Sequence, residues 1–100
     1  MLQVVVASTR PGRKGPAFAE WFSAVARQHG GFEVVDNLAE VGPPFMDEPN
    51  CPRLGQCLHQ HTLDWSASVV GAHSFVFVTP EYNYGYNAVV KNAIDYLHTE

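Results

Sequence analysis

Leu2-Gln3-Val4-Val5-Val6-Ala7-Ser8-Thr9-Arg10-Pro11-Gly12-Arg13-Lys14-Gly15-Pro16 sets the topology of this chain. Leu2 to Ala7 is a short β-branched run that stops at a cluster of turn formers, which predicts a buried strand followed by a loop. Pro16 stands where the first turn of a helix accepts a residue without an N–H. Beyond it Phe18, Trp21, Phe22, Val25 and Ala26 recur at intervals of three and four, the pattern of one apolar helix face, and the aromatic stripe is expected in the core. Gly30-Gly31 ends that helix, and Phe32 to Val35 begins a second strand at once. Strand, helix and strand within about 35 residues match the size of a βαβ crossover.

Residues 38–56 are expected to be irregular, because Gly42-Pro43-Pro44, Pro49, Pro52 and Gly55 prevent long elements. A helix is expected over 58–70, with Leu58, Leu63, Trp65, Val69 and Val70 available to pack. Ser74 to Thr79 follows as a continuous apolar strand closed by Pro80. Tyr82 to Tyr86 reads as a loop, and Ala88 to Leu97 as a helix with Val89, Val90, Ala93, Ile94 and Leu97 on its apolar side. The order β-α-β-loop-α-β-α predicts one α/β domain over residues 1–100, built on a doubly wound parallel sheet. Right-handed crossovers from a shared first strand give the strand order 2-1-3. Phe75-Val76-Phe77-Val78 then lies at an edge, although its unbroken apolar pattern asks for cover on both faces. The expectation is a sheet truncated to about three strands, with C-terminal strands missing.

The chain has 100 residues, 46% of them hydrophobic and 16% charged, a globular composition that excludes a disordered tail or a coiled coil. No apolar run approaches the roughly 20 residues of a bilayer span, and Met1-Leu2-Gln3-Val4 lacks the basic start of a secretory signal, so no membrane partner is expected. Two cysteines are too few for a disulfide framework, and a cytoplasmic setting fits them. The net charge of −4 is uneven: Arg10, Arg13, Lys14 and Arg27 face only Glu20 in the first thirty residues, while the remainder is strongly acidic. An acidic body argues against nucleic acid, and a local basic cluster points to an anion site.

That cluster, Ser8 to Pro16, occupies the carboxyl end of the first strand and the start of the first helix, where open α/β sheets bind ligands. Helix N–H groups and the dipole favour an anion there. Ser8 and Thr9 offer hydroxyls, Arg10 or Arg13 can fork onto a phosphate, and Gly12 and Gly15 allow close approach. The run lacks the Gly-Lys-Ser/Thr of a P-loop and the G-x-G-x-x-G of a dinucleotide fold. Thr79 to Asn87 lies at the end of the third strand, beside the first loop in a 2-1-3 sheet. Its tyrosines could cover the core or form a wall for a planar ring, and pairing with the first loop favours the wall. Asn87 is placed to cap the last helix. Glu81 is equally suited to a general base or to bracing the loop. Lys91 reads as a solvated or cap-contacting helix residue. Cys51, Cys57, His59 and His61 crowd together, but their spacing departs from structural zinc sites, and surface histidines with inert thiols is the favoured account.

Ser8-Thr9-Arg10-Pro11-Gly12-Arg13, then Thr79-Pro80-Glu81-Tyr82-Asn83-Tyr84-Gly85 and Lys91-Asn92-Ala93-Ile94-Asp95-Tyr96-Leu97, resemble the NADPH-dependent FMN reductases over essentially the whole chain. Asp47-Glu48-Pro49 and His61-Thr62 with Trp65-Ser66 resemble one branch of that family. Ala7 replaces the glycine usual there, and Asn87 stands where proline is common. The resemblance implies a flavodoxin-like fold, FMN and NADPH as cofactors, and hydride transfer through flavin to a quinone, azo, metal-oxyanion or flavin acceptor. It implies that Ser8, Thr9, Arg10 and Arg13, with backbone help up to Gly15, hold the FMN phosphate. Pro80, Glu81, Tyr82, Asn83, Tyr84 and Gly85 would line the ring. No side-chain catalytic residue is expected, since the cofactor does the chemistry. A homodimer or homotetramer is implied, whereas the family's later strands and glycine-rich third loop are absent from this sequence. The alternatives are a truncated, non-catalytic FMN-binding or assembly module and, less well matched, an electron carrier.

Overall fold

The computed structural model describes residues 1–30, 33–50, 55, 57–98 and 100. Strands β1 (Leu2–Val6), β2 (Glu33–Asn37) and β3 (Ser74–Val78) form one parallel sheet in the order β2-β1-β3. Leu2 pairs with Glu33 and Ser74, and Val6 with Asn37 and Val78, so the three strands are in step along their length. The predicted 2-1-3 order holds, and the fold is of the flavodoxin-like α/β class. Phe32, expected to open the second strand, lies with Gly31 outside the described residues, and β2 runs on to Asn37.

The central strand shows why its sequence is so uniformly apolar. Val4 and Val6 face helix α1 (Gly15–Gln28), where they pack with Ala19, Phe22 and Val78. Val5 and Ala7 face the opposite layer, α2 (Leu38–Val41), α3 (Gln60–Val70) and α4 (Ala88–Asp95), and join Leu38, Trp65, Val69, Val90, Ala93 and Tyr96. The Trp65 indole N–H donates to the Ala93 carbonyl at 2.9 Å, which locks α3 to α4. One polar residue interrupts β1. Gln3 is buried, and its amide donates to Asp36 on β2 and to Ser68 Oγ on α3 at 2.9 Å, while Ser68 Oγ donates to the same Asp36 carboxylate at 2.6 Å.

Two sequence expectations need correction. Phe18 and Trp21 are 64% and 65% exposed, and the buried residues of α1 are Ala19 and Ser23. The helix meets the sheet along a narrow strip, and among the described residues nothing packs on the aromatic flank beside it. Phe75 and Phe77 of β3 are likewise 41% and 44% exposed, as an edge position dictates. Leu58, Leu63, Val70 and Ile94 also stay largely in solvent.

Between Asn37 and Gly42 the chain makes a single helical turn the sequence did not reveal. The Asn37 side chain accepts from Ala39 N–H at 3.1 Å, and Gly42, at φ +58°, closes the turn onto the Leu38 carbonyl at 2.8 Å. Helix α3 begins at Gln60, two residues later than predicted, and the residues leading into it are held from outside. Glu48 accepts from Leu58 N–H at 2.7 Å, His59 N–H at 3.0 Å and the Thr62 hydroxyl at 2.6 Å. Burial acts to raise the Glu48 pKa, but these hydrogen bonds and the nearby His59 outweigh it and hold the carboxyl below its ordinary value. Among the described residues no helix is long and apolar enough to cross a membrane.

Candidate functional site

Because β1 and β3 are neighbours, the loops that leave their carboxyl ends open side by side, and Ala7 N–H donates across to the Val78 carbonyl at 2.9 Å. The first loop folds back through an Arg13 N–H bond to the Arg10 carbonyl at 3.1 Å, with Gly12 at φ +74°. It then delivers Gly15 to the start of α1. Lys14, the residue before the helix, makes no side-chain cap, and the first turn holds no acidic residue. The positive end of a 14-residue helix therefore faces the crevice with no carboxylate in its own first turn.

Ser8 is 7% exposed, yet its hydroxyl has no hydrogen-bond partner, and Arg13 Nε is buried and equally unpartnered. Buried polar groups are rarely left so, and two on one pocket wall mark a place where a polar ligand belongs. A side chain at Gly15 would put its Cβ 2.0 Å from Ser8 Oγ, so glycine alone keeps this corner open. The resulting cavity, about 450 Å³, is lined on one side by Ser8, Arg10, Arg13, Lys14, Gly15 and Phe18 and on the other by Val78, Thr79, Pro80, Glu81 and Tyr82.

The second loop carries a two-residue turn. Tyr82 and Gly85 exchange backbone hydrogen bonds of 3.0 and 3.1 Å, and the central residues Asn83 and Tyr84 sit at φ +53° and +65°. A tyrosine in that region is strained, and Glu81 holds it there by accepting from Tyr84 N–H at 2.6 Å. Glu81 thus braces the loop. Tyr84 is fully exposed and Tyr86 largely so, which overturns the reading that these rings cover the core. Asn87 caps α4 by accepting from Val90 N–H at 3.2 Å, and it also donates to the Ala7 carbonyl at 2.8 Å. That second bond ties the two loops together across 80 positions of sequence, too distant for local pattern reading to find.

The structure brings Ser8, Arg10, Arg13 and Gly15 together with Pro80, Glu81 and Tyr82 in one cavity. Thr9 faces away, lining a separate apolar cavity with Leu38, Pro43, Phe45 and Val89. Asn83, Tyr84 and Gly85 form the projecting turn beyond the cavity wall. Lys14 and Thr79 join the lining though neither stood among the site residues expected to line the ring or hold the phosphate. Of the crowded thiols and imidazoles, Cys51 lies outside the described residues.

A parallel 2-1-3 sheet with an anion-seeking crevice between its first and third strands is the layout of flavodoxin-like proteins. The NADPH-dependent FMN reductase family profile matches residues 2–100, and the chain belongs to that family. It is 39% identical over 101 residues to an NAD(P)H-dependent FMN reductase of Schizosaccharomyces pombe, covering 97% of this chain and 50% of that protein. A reductase of the same name from Nectria sp is 29% identical over 106 residues, with 99% and 53% covered. One from Saccharomyces cerevisiae is 54% identical over a shorter stretch of 39 residues. The chain spans about half the length of the first two relatives.

Proposed function

We propose that this chain forms the flavin-holding part of an NAD(P)H-dependent FMN oxidoreductase acting on a small-molecule acceptor such as a quinone, azo compound, metal oxyanion or free flavin. The unpartnered, buried Ser8 hydroxyl at the start of α1 carries this reading. A phosphate would satisfy it and Arg13 Nε together, in a corner that Gly15 keeps free of side chain. When bound, FMN would accept a hydride from NAD(P)H and pass electrons on. The chain's own share is to hold and orient. Ser8, Arg10 and Arg13 grip the phosphate, and Thr9 backs the loop from the far side. Pro80, Glu81 and Tyr82 present the second wall, and the Asn83-Tyr84-Gly85 turn, pinned by Glu81, would border the ring when FMN is bound. The reading carries with it a cytoplasmic setting and a homodimer or homotetramer, which light scattering on the purified chain tests.

Titrating FMN into the 100-residue chain and following quenching of flavin fluorescence tests the site. Arg13→Ala is expected to weaken binding by about 1.5–3 kcal/mol, the worth of a charge-assisted hydrogen bond. An unchanged affinity removes Arg13 from the phosphate grip. Saturable binding without NADPH oxidation would favour the second reading, a non-catalytic FMN-binding or assembly module.

A further inference from the structure

Away from the flavin crevice, the segment before α3 and the start of that helix bring three metal-ligand side chains together. His61 Nε2 lies 3.1 Å from both Asp47 carboxylate oxygens. His59 Nε2 lies 3.0 Å from the Asp47 main-chain carbonyl and 3.9 Å from its Oδ2. The imidazoles are stacked, with centroids 5.4 Å apart and planes 12° from parallel, and one ligand atom from each of the three residues falls within 4.8 Å of the others. All three are partly open to solvent, so an ion has an entry path.

The surroundings hold these groups in place. The Thr62 hydroxyl donates to Glu48 at 2.6 Å and lies 3.4 Å from His61 Nδ1. On the far side, the buried Tyr96 hydroxyl lies 2.9 Å from Asp47 Oδ1 and 2.8 Å from the Pro44 carbonyl, either of which can take its one proton; the first is the kind of outer contact that orients a ligating carboxylate.

We propose that Asp47, His59 and His61 form a binding site for a divalent transition-metal ion of the zinc class. Two imidazoles and one carboxylate are a borderline-soft set that suits Zn²⁺. Metal–ligand bonds of about 2.0–2.2 Å in tetrahedral geometry need ligand atoms roughly 3.3 Å apart. The His61–Asp47 separation already meets that, and His59 closes the remaining gap by giving up its bond to the Asp47 carbonyl. Water or that carbonyl completes the fourth position. The ion would clamp the 43–47 segment to α3, and no step of the flavin reading depends on it.

The test uses the chelator-stripped 100-residue chain without flavin. Calorimetric titration with Zn²⁺ should show one ion per chain, and Co²⁺ should produce the visible bands of a four- or five-coordinate site. His61→Ala and His59→Ala should each lower affinity at least tenfold, whereas His73→Ala and His98→Ala should leave it unchanged. Far-UV circular dichroism checks that each variant folds. If one does not, ¹⁵N shifts of the His59 and His61 Nε2 atoms in the unaltered chain, recorded as Zn²⁺ is added, report directly. No uptake by the unaltered chain, uptake undiminished in His61→Ala, or imidazole shifts confined to other histidines would each overturn the proposal.

Discussion

Gly15 is where one added carbon would do most damage to the crevice. Alanine there would drive its methyl into Ser8 Oγ at 2.0 Å and crowd Ser8 Cβ at 3.1 Å. Overpacking of this kind costs about 1–3 kcal/mol, and here it also turns away the hydroxyl assigned to the phosphate. Gly15→Ala is therefore expected to lower stability in urea titration and to weaken FMN binding in the quenching assay. Adding Ser8→Ala should recover part of the stability and none of the affinity; recovered affinity would show that Ser8 is not a ligand. Local charge and glycine placement beside a strand end single out Ser8, Arg10, Arg13 and Gly15 in the sequence, and the structure gathers them in one cavity. That Ser8 and Gly15 touch was not legible, since no spacing rule reports a contact across a loop.

Among the elements, α4 does two jobs through its cap. Asn87 closes the helix and carries the bond to the end of β1. Losing a cap costs about 0.5–2 kcal/mol, and the Ala7 carbonyl, on a fully buried residue, would also lose its donor. Asn87→Ala should thus destabilise by about 2 kcal/mol in chemical denaturation, and Asn87→Asp, which keeps the cap and loses the donor, should fall between. Equal stability of Asp and native chains would show the inter-loop bond to be worth nothing. The cap was readable from sequence because asparagine before an apolar helical run is a local signal. The late start of α3 was not, because the Leu58 and His59 N–H groups before it are held by Glu48, ten and eleven residues upstream of them. The exposure of Phe18 and Trp21 escaped for a related reason. Periodicity identifies an apolar face, but only the neighbouring elements decide how much of it is covered.

At the scale of the whole molecule, apolar side chains stand in solvent on both sides of the β3 edge, with Phe18 and Trp21 on the α1 layer and Phe75, Phe77 and Ile94 on the other. An exposed parallel strand with such side chains pairs readily with other chains. The 100-residue protein should elute above its 11.0 kDa mass in size-exclusion chromatography with light scattering. Phe75→Lys with Phe77→Lys should move it toward the monomer, and a monomeric native chain would remove this edge from consideration as a contact. The strand order was legible from the 2-1-3 rule, as was the tension between an apolar strand and its edge position. Register was not, because the run Val4 to Ala7 offers almost the same surface at every step. Gln3 supplies what that run lacks. A slip of two residues toward the amino end of the sheet carries its amide about 6.6 Å from Asp36 and Ser68 and breaks both bonds. The buried polar knot is thus a register mark, which penalises that misalignment where a run of valines would not.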